Sequence, residues 1–333
     1  MNDSPATESH GPMASPPSPR PTHPYRSFLL RAGAGVAIIA FLIRHFDARP
    51  ALRVLAHEHL SFFIATFVLY VAGQVMSAYR WQLLAGILGL RTRFRELLAY
   101  YFVGMFTNLF VPGLVGGDAA RAFYLGRHHH RMPEAIACTV ADRGYGLAAL
   151  FWLAAASAIV FNDGVFPPSV IRPTVAVGVV VLAGYLASPI IGRLTHFGPR
   201  FMRRAVGLVA PYLHNPSWGL PAIGLSVILQ VSLAVCQYLL ALGLGLKMPL
   251  ALFMLVVPIA NVLTSLPITL NGLGVRETTY LMLFGMAGVS RADAIALGLL
   301  WFLATMLGGL LGAIPFATLG FPTIKPQKTE VAA

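Results

Sequence analysis

Two stretches gather residue types suited to holding an anion: NLFVPGLVGGDAARAFYL (108–125) and SLPITLNGLGVRETTYLML (265–283). In the first, Gly117 and Arg121 follow Pro112 by five and nine residues. In the second, Gly272 and Arg276 follow Pro267 at the same two distances. An asparagine precedes each proline, Asn108 and Asn261, and an acid sits beside each glycine–arginine unit, Asp118 and Glu277. Proline and glycine break a helix, and the freed amides at the start of the next helix, with its positive dipole end, attract negative charge. Gly116, Gly117, Gly272 and Gly274 permit close approach of backbone to a ligand. Arg121 and Arg276 supply planar, two-pronged donors matched to phosphate. Asp118 and Glu277 would orient those arginines or titrate, and Asn271 joins the candidate set from within the second break.

These residues need elements to position them, and the composition says which. Of 333 residues, 57 % are hydrophobic and 11 % are charged, and the mean hydropathy is +0.72. A water-exposed domain carries roughly a quarter charged residues, so the chain is expected to be an all-α, polytopic membrane protein. The formal charge of +12 is spread in short basic clusters between apolar runs, which points to the inner-leaflet bias of Lys and Arg and not to nucleic acid. Spanning about 30 Å of hydrocarbon takes about 20 residues, and full spans are expected at 27–43, 61–79, 136–160, 173–191, 219–243 and 293–319. Segments 96–125 and 250–288 are apolar but interrupted. No alternating strand pattern competes with helices.

Charge decides how the interrupted segments run. If 96–125 dips into the bilayer and returns, Arg80, Arg91, Arg93, Arg95, Arg121, Arg127 and Arg131 gather on one side with the arginines of 193–204. The arginine-poor turn 161–172 then falls outside, while Arg44, Arg49 and Arg53 remain a misfit. The two broken segments would enter from opposite sides, as an inverted repeat. Transporters build midplane sites from such discontinuous helices, because unpaired backbone survives only inside protein or beside a water-filled cavity. Both termini are expected on the cytoplasmic side of the inner membrane.

Other residues carry weaker signals. Asp142 and Arg143 lie near the start of one span, where ionisable groups pair with each other or with a site. Arg80 beside Trp81 reads as an interface anchor. PRFMRRAVGLVAPYL (199–213) suits either an interfacial helix or a basic loop. Cys138 and Cys236 read as small buried side chains. The run His128, His129, His130 diverges too much for metal binding, and His57-Glu58-His59 lacks zinc spacing. No metal and no cofactor are expected. Gly308, Gly309 and Gly312 fit helix packing through small residues. No nucleophile elbow or P-loop is present, so catalytic residues are not assigned.

AYRWQLL (78–84), NLFVPGLVGGDAARAFYL (108–125), ADRGYGL (141–147) and LPITLNGLGVRETTYLMLF (266–284), in that order, resemble the integral-membrane region of lysylphosphatidylglycerol synthases, a flippase-like family. The resemblance covers about 30–320 and implies translocation of a lipid or lipid-linked intermediate. It is not expected to extend to the soluble aminoacyl-transfer domain of the full-length synthases, so that activity is not carried over. The expected organisation is a Pro-rich disordered tail (1–26), one membrane domain (27–320) and a short tail (321–333). The expected partner is a membrane lipid with an anionic head group. Membership of a lipid or glycolipid biosynthetic complex, as subunit or scaffold, is the alternative, followed by an intramembrane lipid transferase.

Overall fold

A computed structural model describes residues 60–109, 115–160, 164–190, 207–208, 210–212, 219–264 and 275–319, and the described secondary structure is helical throughout. In chain order the helices are α1 (Leu60–Ile87), α2 (Phe94–Asn108), α3 (Val115–His129), α4 (Met132–Val160) and α5 (Pro168–Leu186). Then follow α6 (Leu220–Gly243), α7 (Leu250–Thr264), α8 (Val275–Met286), α9 (Arg291–Leu310) and α10 (Ala313–Leu319). Five segments are long and apolar enough to cross a membrane: α1, α4, α5, α6 and the continuous stretch Arg291–Leu319. They match five of the six expected spans, and the expected span at 27–43 lies outside the described residues, as do both tails.

Each interrupted segment contains two short helices, α2 and α3 in the first and α7 and α8 in the second. Glu96 at the start of α2 lies beside His128 at the end of α3, with Oε2 and Nε2 3.9 Å apart. Tyr100 stacks on Tyr124 at 5.4 Å, and Gly104 meets Gly117 near the break. These contacts run in opposite directions along the two helices, so α2 and α3 form an antiparallel hairpin, and the chain returns to the end it left. Arg91, Arg93 and Arg95 therefore share an end with Arg127 and Arg131. The close approach depends on glycine: a Cβ on Gly117 would lie 2.3 Å from the Gly104 carbonyl oxygen, and one on Gly104 2.8 Å from that of Gly117. The second unit folds likewise, with Phe253 early in α7 packed on Phe284 late in α8 at 5.1 Å.

The chain thus contains one plan twice: long helix, hairpin of two short helices, long helix. The first copy is α1 to α4, the second α6 to α9, and α5 links them. The caps repeat too. Gly89 and Gly245 adopt left-handed φ of 74° and 79°, and each stands five residues before its hairpin. Leu90 donates to the Ala85 carbonyl and Leu246 to that of Ala241, both at 2.9 Å, the closing bond of a Schellman turn.

The two copies are inverted. Thr66 of α1 bonds the Cys236 carbonyl of α6 at 3.1 Å, Gly73 faces Leu229 and Ser232, and Arg80 reaches Ser226 at 2.8 Å. Rising numbers on α1 thus meet falling numbers on α6, and these equivalent helices are antiparallel. Small residues also permit close packing at α9 and just beyond its end. A Cβ on Gly308 would lie 2.4 Å from the Tyr70 ring, and one on Gly312 1.9 Å from the Phe102 carbonyl oxygen. Cys138 and Cys236 are buried free thiols, as expected.

Candidate functional site

Between α1, α3 and α4 lies a buried ionic chain. Asp142 of α4 accepts from Arg80 Nε of α1 at 2.8 Å and from Arg121 Nη1 of α3 at 2.9 Å. Arg121 also donates through Nε to Asp118 Oδ1 at 3.0 Å. Asp118 in turn accepts from Arg143 Nε at 2.5 Å and Nη2 at 3.1 Å. The two central residues are almost fully enclosed, Arg121 4 % exposed and Asp142 2 %. The Arg121 guanidinium sits between aromatic faces, 5.2 Å from the Trp81 ring centre and 5.3 Å from that of Tyr101. Stacking and paired carboxylates together fix its plane.

Three helices must converge to build this chain, and each does so for a local reason. Asp118 and Arg121 lie one turn apart on α3, so they face the same way. Asp142 and Arg143 are neighbours on α4 and point to different sides, one inward to Arg80 and Arg121, the other to Asp118. Arg80 lies seven residues inside the end of α1, roughly 10 Å along its axis. It is not the interface anchor expected from sequence. The expected span ended at 79, whereas α1 continues to Ile87 and carries the arginine into the protein, where Trp81 is fully buried. Arg80 and Arg121 must likewise be removed from the loop charges counted in the topology.

Bringing these five residues together leaves a charge imbalance. Three guanidinium groups share two carboxylates, an excess of one positive charge, with Arg80, Arg121 and Asp142 buried and Arg143 at the open end. An unbalanced guanidinium charge beside a cavity attracts an anion, so the cluster favours one. A cavity of about 190 Å³ is lined by Arg80, Arg121, Asp142 and Arg143 together with Ser77 and Tyr101.

Arg276, the counterpart of Arg121 in the second unit, is 7 % exposed and lines a second cavity of about 240 Å³ with Tyr70, Asn261, Thr264, Trp301 and Thr305. Gln74, Arg143, Leu150, Gln230 and Leu233 line both cavities. The arginines of the two units thus face adjoining compartments. Gln74 stands twenty residues before Phe94, where the first hairpin starts, and Gln230 twenty residues before Leu250, where the second starts. The pair marks where the inverted copies meet.

Some expected site residues do other work. Asn108 accepts through Oδ1 from the Gly117 amide at 2.6 Å, so that amide caps α3 internally and is not directed at a ligand. Gly117 serves the contact with Gly104, and Gly116 is half-buried in the first turn of α3. Pro112, Asn271, Gly272 and Gly274, and the Glu277 side chain, lie outside the described part of the structure. Arg80, Ser226, Gln74 and Gln230 were missed. The signal for the glutamines was present, since LGLR (88–91) and LGLK (244–247) share the spacing to the hairpins and would have aligned Gln74 with Gln230.

Inverted hairpins around a charged interior, enclosed by membrane-length helices, define a polytopic helical membrane protein whose equivalent broken helices line adjoining cavities. The chain belongs to the family of the lysylphosphatidylglycerol synthase TM region, whose family model matches residues 28–312. It is similar to a UPF0104 membrane protein of Methanothermobacter thermautotrophicus, 25 % identical over 318 residues, covering 84 % of this chain and 90 % of that protein. A second UPF0104 membrane protein, from Methanocaldococcus jannaschii, is 30 % identical over 77 residues, or 23 % of each chain.

Proposed function

We propose that the protein translocates a lipid with an anionic head group, or a lipid-linked intermediate of that kind, across the cytoplasmic membrane. The observation that carries this reading is the pair of adjoining cavities, one facing Arg121 and the other Arg276, at the junction of inverted units. Inversion matters because exchanging the conformations of two like units converts an inward-facing site into an outward-facing one. The excess guanidinium charge supplies attraction for a phosphate, while the lipid tail stays in the hydrocarbon. Asp118 and Asp142 hold the arginines in place between cycles. The basic end of the first hairpin faces the cytoplasm, in keeping with the positive-inside tendency.

The test is leaflet exchange in vesicles with phosphatidylglycerol labelled on its acyl chain. Wild-type protein is expected to exceed protein-free vesicles. Arg121→Ala and Arg276→Ala each remove a charge-assisted contact of about 1.5–3 kcal/mol, so each should slow exchange by roughly 10- to 150-fold. Equal exchange with and without protein refutes the proposal.

A further inference from the structure

The two compartments differ in chemistry, and that difference describes a ligand. The compartment at Arg121 is charged. The compartment at Arg276 shares Arg143 with it; the rest of its described wall is neutral, made of hydrogen-bonding, aromatic and aliphatic groups, and no carboxylate lines it among the described residues. Tyr70 and Trp301 meet there edge to face, with ring centres 5.5 Å apart, and present a surface suited to the C–H groups of a polyol. Between the compartments stands Gln230. Its Nε2 points to the Gly146 carbonyl at 3.5 Å, while its Oε1 is buried without a hydrogen-bond partner among the described residues. Reversing the amide would set two acceptors against each other, so the oxygen is the end left to meet a ligand. An acceptor in that position asks for a hydroxyl donor. An ammonium group meets the guanidinium groups of Arg143 and Arg276 there and no free carboxylate among the described residues, since Asp118 and Asp142 are both engaged by arginines.

We infer that the head group is bipartite, a phosphodiester at the arginines joined to an uncharged polyol or sugar read by Gln230 and the Tyr70–Trp301 wall, and that head groups bearing an ammonium are disfavoured. This rests on the translocation reading and narrows its substrate. It also sets the chain apart from the cationic lipid named in its family.

The experiment compares three acyl-labelled probes in vesicles containing the full chain: phosphatidic acid, phosphatidylglycerol and lysylphosphatidylglycerol. Phosphatidylglycerol should exchange at least tenfold faster than either of the others, tenfold being about 1.4 kcal/mol. Gln230→Leu, which removes the acceptor, should bring the ratio of phosphatidylglycerol to phosphatidic acid close to one. Thr305→Val should lower the same ratio and covers the case in which the first variant fails to fold. Equal rates for phosphatidic acid and phosphatidylglycerol, or a ratio unmoved by both substitutions, overturn the bipartite assignment and leave translocation standing. Lysylphosphatidylglycerol matching phosphatidylglycerol overturns the exclusion of cations. If no probe outruns protein-free vesicles, translocation fails and this inference fails with it.

Discussion

Replacing Asp142 with asparagine tests whether the ionic chain holds the helices together. The substitution preserves volume and one acceptor oxygen, but it turns the other oxygen into an NH₂ group that faces a guanidinium donor. The carboxylate is 2 % exposed and accepts from two arginines at 2.8 and 2.9 Å, so little solvent reaches it to replace what is lost. The excess positive charge of the cluster rises from one to two. Removing one partner of a buried ion pair costs about 3–5 kcal/mol. On a scale of about 2–4 °C per kcal/mol for chains somewhat smaller than this one, the unfolding midpoint should fall by roughly 6–20 °C. The assay is thermal unfolding of purified protein in detergent, followed by aggregation or thiol exposure. A cycle with Arg80→Met makes the reasoning specific. Once Asp142 is gone, losing Arg80 removes an unpaired charge, so the double variant should be no less stable than Asp142→Asn alone. An Asp142→Asn midpoint within about 2 °C of wild type, or strictly additive losses in the cycle, would refute the buried-network reasoning.

Three further outcomes follow from the helix geometry. Gly117→Ala places a Cβ 2.3 Å from a backbone oxygen that has nowhere to go, and it should cost about 1–3 kcal/mol in the same unfolding assay. Gly144→Ala, with nothing within 4 Å of the new atom, should be neutral or mildly stabilising. Single cysteines at Glu96 and Arg127 should react with an impermeant thiol reagent from the same side of the membrane, and the buried native thiols at Cys138 and Cys236 should contribute little background. Labelling from opposite faces would contradict the returning path of the first hairpin.

The class of protein was written in the sequence, because the cost of placing charge in hydrocarbon forces long apolar runs that can be counted. The pairing of short helices was legible for a related reason: proline and glycine act locally, so the stretches around Pro112 and Pro267 read as poor helix without any knowledge of neighbours. Matching spacing also paired Arg121 with Arg276. Partnership was not legible. Arg80 looked like an interfacial residue because sequence fixes how far a helix runs only loosely at its ends, and a single extra stretch to Ile87 carries that arginine inside. Gly117 looked like a ligand contact because glycine allows any close approach, and only the position of α2 determines that the approaching group is Gly104. Gln74 and Gln230 draw no attention in a sequence, since a lone glutamine in an apolar helix has no local signature. They line the same two cavities because α1 and α6 pack antiparallel, although the residues are 156 positions apart. Composition and backbone chemistry determined the helices and their breaks by themselves; which charges share a cavity was settled only by packing, because burial and pairing depend on neighbours distant in the chain.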